Sequence, residues 1–545
     1  MMDGVIVKIS GQIADVVNGR IFPGELYVQD GRIADIHEVA HAEKQLIVPG
    51  LVDSHIHIES SMMVPSEFAR LASVHGTVAT VSDPHEIANV LGMRGIDYMI
   101  ENAEKVPFYF NFGAPSCVPA TIFETAGAHL GPAEIEDLLK RPDIKYLSEM
   151  MNYPGVLNND PEVMQKIKIA QKFKKPIDGH APGLRGEDAK AYIKAGISTD
   201  HECYSYNEAL EKIKLGMKIL IREGSAAKNF DALIELIAEF PEMIMFCSDD
   251  KHPDALVKNH IDELIRRALD RHYKPMDVLR AATLNPVRHY CLENGLLQKG
   301  DYADFIIVNN IRDFEVKRTY IKGQKVAENG KSLLEFTHSD IINHFDCDYI
   351  NPDDLNVPAT GNSMRVIEVI EGQLITQHSF VKPLVEDNCV CSDTDRDILK
   401  LVVVNRYKNS MPAVAFVRNF ELKQGAIAST VAHDSHNIIA VGVDDTSIKR
   451  AVNLLIQNKG GISLVSDNDH MVLPLPVAGL MSAQNGYDVA EQYVKIDDAA
   501  KGMGSTLAAP FMSLSFLALL VIPELKLSDK GLFDGKNFKF VDLFS

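Results

Sequence analysis

The chain reads as an α/β protein built on a (β/α)8 TIM-like barrel, with a small composite β domain and a C-terminal α+β domain. Three observations predict this. Between residues 46 and 246, about eight short apolar runs rich in β-branched residues alternate with segments of helical length. Nearly every run ends in a His, Asp or Glu, and from about residue 340 the long alternation gives way to isolated strand patterns. Alternating strands and helices call for a parallel sheet, and eight such units over roughly 250 residues fit a closed barrel. A doubly wound sheet is the competing arrangement. Ligand-type residues at successive strand ends favour the barrel, whose chemistry gathers at one rim.

Taken in order, residues 1–48 carry short alternating segments around the turns Asn18-Gly19 and Asp30-Gly31, the marks of a small β module. Its apolar length is too small for it to stand alone. The turn-then-strand stretch 295–308 is expected to complete it, so that the module is assembled from 1–48 and 293–338. The barrel is expected over 49–292, with strands at 46–52, 77–82, 108–112, 145–148, 176–178, 197–200, 217–221 and 243–246. Stretches 161–174 and 230–240 space their apolar residues by three and four, as helices do. The remainder, 339–545, shows strands such as 364–370 and 399–405 and a helix at 446–458.

Composition narrows the function classes. Lys and Arg number 55 against 75 Asp and Glu, a formal net charge of -20, so a nucleic-acid backbone would be repelled over most of the surface. The longest apolar run, 511–522, is broken by serines and too short to span a bilayer, and no basic-then-apolar leader opens the chain. Seven cysteines without a Cys-x-x-Cys pair suit reduced thiols, so a cytoplasmic location is expected.

The stretch Pro49-Gly50-Leu51-Val52-Asp53-Ser54-His55-Ile56-His57 places two imidazoles at i and i+2 at a strand end, where they face the same way. Later strand ends add Asp83 with His85 and Glu86, then Glu149, His180, His201, and Asp249 with Asp250. Singly, each has an ordinary explanation: a loop histidine, an acid capping a helix, or a surface charge such as Glu202. Together they form the imidazole and carboxylate set that a pair of divalent first-row metal ions takes, with Glu149 suited to bridge. Such a pair activates water near neutral pH for attack on a planar electrophilic carbon.

Longer motifs carry a resemblance. The entry motif at 49–57 resembles that of the amidohydrolase superfamily. Ser82-Asp83-Pro84-His85-Glu86-Ile87-Ala88-Asn89-Val90, Arg222-Glu223-Gly224-Ser225, Ser248-Asp249-Asp250-Lys251-His252-Pro253 and Val431-Ala432-His433-Asp434-Ser435-His436-Asn437 resemble the microbial adenine deaminase family. This likeness implies hydrolysis of adenine to hypoxanthine and ammonia with two divalent ions per chain, iron or manganese, with zinc a further option. It implies His55, His57 and Asp249 on one ion, His180 and His201 on the other, and Glu149 between them. A carbamylated Lys145 is the superfamily's alternative bridge. Asp249 is then the proton carrier and His85 or Glu86 the group that protonates the ring. Asp83, Arg222 and Ser225 are expected to face the substrate. His433, Asp434 and His436 are expected either to cover the barrel mouth, to bind a further cation, or to serve structure alone.

The expected partner is a small purine, with neither nucleic acid nor membrane, and a homo-oligomer is the expectation from the resemblance and from base rates. The competing functions are another heterocycle deaminase or cyclic amidohydrolase of the superfamily and, from a different class, a non-catalytic assembly protein on the same fold. The second expects missing ligands, and none of the strand-end ligands is missing.

Overall fold

The computed structural model describes residues 6–225 and 227–545. An antiparallel meander opens it: β1 (Val7–Asp15), β2 (Arg20–Gln29) and β3 (Arg32–Glu38). The reversals fall at Gly19 and Gly31, whose φ of 75° and 76° only glycine adopts freely. The run expected as one strand at 46–52 is two. β4 (Leu46–Pro49) stays with the meander, parallel to β1, while β5 (Leu51–Ile56) starts the barrel. Gly50 is the pivot, because a Cβ there would lie 2.3 Å from the Val78 side chain.

The barrel continues through β6 (Thr77–Ser82), β7 (Tyr109–Ala114), β8 (Ile144–Met150), β9 (Ile177–Gly179), β10 (Thr199–Asp200), β11 (Lys218–Arg222) and β12 (Ile244–Cys247). Neighbours in the sequence are neighbours in space, with parallel ladders running through β5–β9 and through β10–β12. Two seams close the cylinder. Ser198 N–H donates to Ile177 O between β9 and β10, and Asp249 N–H donates to His55 O where the last strand meets the first, each at 2.9 Å. First touching last excludes the doubly wound sheet.

The helix expected at 161–174 spans Pro161–Lys172; Asp160 caps it, accepting from Glu162 and Val163 N–H at 3.0 Å. The stretch 230–240 differs from expectation. It is one α-turn, Phe230–Leu233, followed by a 3-10 segment, Ile234–Ala238. Leu233, Ile234, Leu236 and Ile237 are all buried, as the three-and-four spacing implies, but the backbone tightens after one turn.

After the barrel, β13 (Phe305–Val308), β14 (Val316–Ile321), β15 (Gln324–Glu328) and β16 (Lys331–Ser332) return to the meander. β13 lies antiparallel to β4, giving one eight-stranded sheet in the order β16-β15-β14-β13-β4-β1-β2-β3. The C-terminal region carries β17 (Met364–Val369), β18 (Thr376–Val381), the pair β19 (Leu384–Glu386) and β20 (Cys389–Cys391), β21 (Leu399–Val404), β22 (Ala413–Arg418), β23 (Ala426–Ser429), β24 (Ile438–Gly442), β25 (Gly461–Val465) and β26 (His470–Pro474). Eight of these form a second sheet, β18-β17-β22-β21-β24-β23-β25-β26. Ile448, Ala451, Val452 and Leu455 of the helix Asp445–Asn458 share an apolar cluster with β21, β23 and β24. Ser482 N–H donates to Met62 O at 2.8 Å and Gly486 N–H to Glu67 Oε2 at 2.8 Å, which seats this region against the loop and helix that follow β5. Among the described residues, no helix is long and apolar enough to cross a membrane.

Candidate metal centre

His55 and His57 leave the end of β5, where their Nε2 atoms are 3.2 Å apart. Asp249, just past β12, brings Oδ1 to 3.5 Å from His55 Nε2 and 3.3 Å from His57 Nε2. Its φ is 56°, a region Asp tolerates better than most residues. The backbone holds it there: Asp249 N–H donates to His55 O, and its own carbonyl accepts from His57 N–H at 3.4 Å.

Glu149, near the end of β8, divides its two oxygens. Oε1 lies 3.3 Å from His57 Nε2, whereas Oε2 lies 2.8 Å from His180 Nδ1 and 3.2 Å from His201 Nε2. His180 and His201 follow β9 and β10 directly, and all six side chains are buried. Burial by itself would raise the Glu149 carboxyl, but His180, His201 and His57 hold it well below the usual range. Burial likewise works against an ionised Asp249, and Arg222, with His55 and His57, holds it well below.

These residues fit divalent ions. Donor atoms around one ion at bonds of about 2.0–2.2 Å stand some 3–3.5 Å apart. His55 Nε2, His57 Nε2 and Asp249 Oδ1 have that spacing. The opposite ring nitrogens, His55 Nδ1 and His180 Nε2, are buried without a hydrogen-bond partner.

The other expected residues divide. Asp83 is buried beside the cluster, with a donor atom within 4.8 Å of those of His57, His85 and Glu149; its Oδ2 lies 3.0 Å from His85 Nδ1 and its Oδ1 accepts His85 N–H at 3.1 Å. Arg222 was expected on the purine; its guanidinium instead joins Glu202 to Asp249 Oδ2, the latter at 2.6 Å. Ser225 is also displaced from its expected place. Its Oγ accepts from His252 N–H at 2.9 Å and lines a separate cavity with Lys251 and Tyr493. Lys145 pairs with Glu293 at 3.1 Å, away from the centre.

Glu86 brings a second set into contact. It opens the helix His85–Leu91, and its oxygens meet His433 Nδ1 at 2.6 Å and His436 Nε2, both from the C-terminal region. Asp434 lies between them in sequence, with Oδ1 3.8 Å from His85 Nε2. The space at the centre, about 20 Å³, is lined by the ligand-type residues together with Glu202, Asp250, Asp434, Met151, Leu374, Phe516 and Leu519. Glu202 follows His201 at a strand end, a signal that was present but indistinguishable from a surface charge. Nothing local marks Leu374, Phe516 or Leu519, which sit in ordinary apolar runs.

A family model described as "Amidohydrolase family" matches residues 46–326, and one described as "Adenine deaminase C-terminal domain" matches 373–539. An adenine deaminase of Salinibacter ruber is 55% identical over 539 residues, 98% of this chain and 99% of its own.

The chain belongs to the adenine deaminase family.

Further members of the family from Sulfurovum sp. and Methanosarcina barkeri are 53% and 52% identical, each over 98% of this chain and 99% of their own. In this adenine deaminase family chain both matched segments reach the same cavity, the first with the histidines and Glu149, the second with Leu374, His433, Asp434, Phe516 and Leu519.

Proposed function

We propose that the chain hydrolyses adenine to hypoxanthine and ammonia at the rim of its barrel. The observation that carries this is the sharing of Glu149 between two histidine groups in a chain of this family. His55, His57 and Asp249 would hold one divalent ion, His180 and His201 the other, with Glu149 common to both. Iron(II) and manganese(II) suit imidazole and carboxylate equally, with zinc(II) a third option. When bound, such a pair supplies a water of lowered pKa and a sink for the negative charge that builds as the purine carbon becomes tetrahedral.

The rest falls to the chain's own side chains. Asp249 keeps one oxygen toward the histidines and ties the other to Arg222, so it starts ionised; it takes a proton from the attacking water and passes it to the departing amine. His85 is better placed than Glu86 to protonate the ring nitrogen. Its Nδ1 is committed to Asp83 and its Nε2 has no hydrogen-bond partner, whereas both oxygens of Glu86 are taken by histidines. Glu202, sharing Arg222 with Asp249, fixes the guanidinium between them. Met151, Leu374, Phe516 and Leu519 exclude water, and they would offer apolar faces to a flat ring once they part, since the space between them holds about one water as it stands. Seven free cysteines support the expectation of a cytoplasmic enzyme, and a homo-oligomer is proposed on base rates.

The test is ammonia release from adenine, adenosine and cytosine by protein of measured metal content. Release from adenine alone by chains carrying two ions is expected. No release from adenine by such chains refutes the reading, and faster release from cytosine moves it to another heterocycle.

A further inference from the structure

The cavity is lined by six carboxylates, and they are not equivalent. Glu149 and Asp249 face histidines, Glu202 faces Arg222, Glu86 faces His433 and His436, and Asp250 Oδ1 accepts from Ser60 Oγ at 2.5 Å. Asp434 differs. It is 3% exposed, its Oδ1 is drawn toward His85 Nε2 at 3.8 Å, and its Oδ2 is buried with no hydrogen-bond partner. Among the six carboxylates that line this cavity, Asp434 alone has a fully buried oxygen without a partner.

A buried, unpartnered acceptor costs free energy unless a ligand supplies the missing donor. The free purine base has such a donor, the N–H of its five-membered ring, in addition to the exocyclic amine. We infer that Asp434 Oδ2, supplied by the C-terminal region, accepts that ring N–H and so makes the free base the preferred substrate; this rests on the adenine reading above.

The surroundings suit the role. The neighbouring His433 ring stacks on Phe516 with centroids 4.7 Å apart and an interplanar angle of 14°, and its Nδ1 is held by Glu86, so the segment carrying Asp434 is fixed from two sides. Phe516, Leu519 and Leu374 leave an apolar surround in which a charge-assisted N–H to carboxylate bond has no competing water. A purine whose ring N–H is replaced by a sugar loses that bond and must also displace those side chains. A cation held by His85, Glu86 and Asp434, whose donor atoms lie within 4.8 Å of one another, is the competing use of the same oxygen.

Two bicyclic ligands of one shape separate these. Benzimidazole carries the ring N–H; benzoxazole replaces it with oxygen. Calorimetric titration of the metal-loaded full chain should give benzimidazole about tenfold tighter binding or more, the worth of one hydrogen bond to a charged group. The ratio should shrink in Asp434→Asn, whose neutral amide oxygen accepts a weaker bond, and fall toward one in Asp434→Ala, which offers no acceptor, with the KM for adenine raised more than kcat is lowered and the metal content unchanged; the Asn variant carries the test should the Ala variant not fold. Equal affinities in the unmodified protein, an undiminished ratio in either variant, or loss of a metal equivalent from either overturns the inference. Ammonia release from adenine is followed on the same preparations. Its absence from the unmodified, metal-loaded protein strikes the adenine reading itself, and the inference with it, whatever the ratio.

Discussion

Two buried glutamates, Glu149 and Glu86, are each gripped by histidines, yet they do different work. Glu149 is met by His57, His180 and His201, all from the barrel, and its oxygens point to two separate groups. Glu86 is met by His433 and His436, 347 and 350 residues further along the chain, and spends both oxygens on them. Burial would neutralise either acid. In Glu149 the opposing force comes from His180, His201 and His57; in Glu86 it comes from His433, His436 and His85. The comparison teaches that residue type alone does not define a metal ligand. Glu149 is met by imidazoles of one barrel rim, whose donor atoms cluster closely enough to hold ions, whereas Glu86 is met by two imidazoles of one distant segment and so fastens two regions together.

The contrast breaks most visibly at Glu149. In Glu149→Gln, metal per chain should drop and turnover should fall by more than about a thousandfold, or over 4 kcal/mol of barrier. Full metal content with full activity would put both glutamates in one class. Next comes Glu86→Gln, which leaves two buried imidazoles without their counter-charge and should destabilise the chain by about 3 kcal/mol or more with the metal retained. Metal analysis beside thermal melting separates the two, since loss of metal here would make Glu86 a ligand.

A pH series sharpens the same point. His433 is raised to about 9 from its ordinary 6.5, because Glu86, with Asp250 and Asp434, outweighs burial. A folded-state value above the unfolded one gives stability that is complete below pH 6.5 and is lost as pH climbs through about 9. The gap in melting temperature between the unmodified chain and His433→Gln should therefore be constant below pH 6.5 and close toward pH 9–10, corresponding to up to about 3 kcal/mol. A gap that does not vary with pH means His433 is neutral and Glu86 is held by His436 alone. The smallest effect belongs to Ser225→Ala. Because its hydroxyl serves His252 N–H in another cavity, kcat/KM for adenine should change less than about twofold; a larger loss would return Ser225 to the substrate.

Much of the barrel could be read in advance because its signals are local. Asp160 before Pro161, the i and i+2 spacing of His55 and His57, and an acid or imidazole at most strand ends all act within a few residues. The split at Gly50 was less legible. An apolar run looks continuous until a neighbour such as Val78 occupies the place of a Cβ. Arg222 and Ser225 lie on the motif that the sequence singled out, yet they turn to Glu202, Asp249 and His252. Which way a side chain turns after a strand end depends on partners from other units, and no spacing rule reports them.

By itself the sequence determined that six imidazole and carboxylate side chains stand at barrel strand ends, since period-two alternation and strand-to-helix turns are set by short-range sterics. Only the tertiary structure decided which acids share those histidines, that His433 and His436 close on Glu86, and that Leu374, Phe516 and Leu519 roof the cavity. Those contacts join segments hundreds of residues apart, and they form through the packing of two whole regions against each other, which leaves no periodic trace in either one.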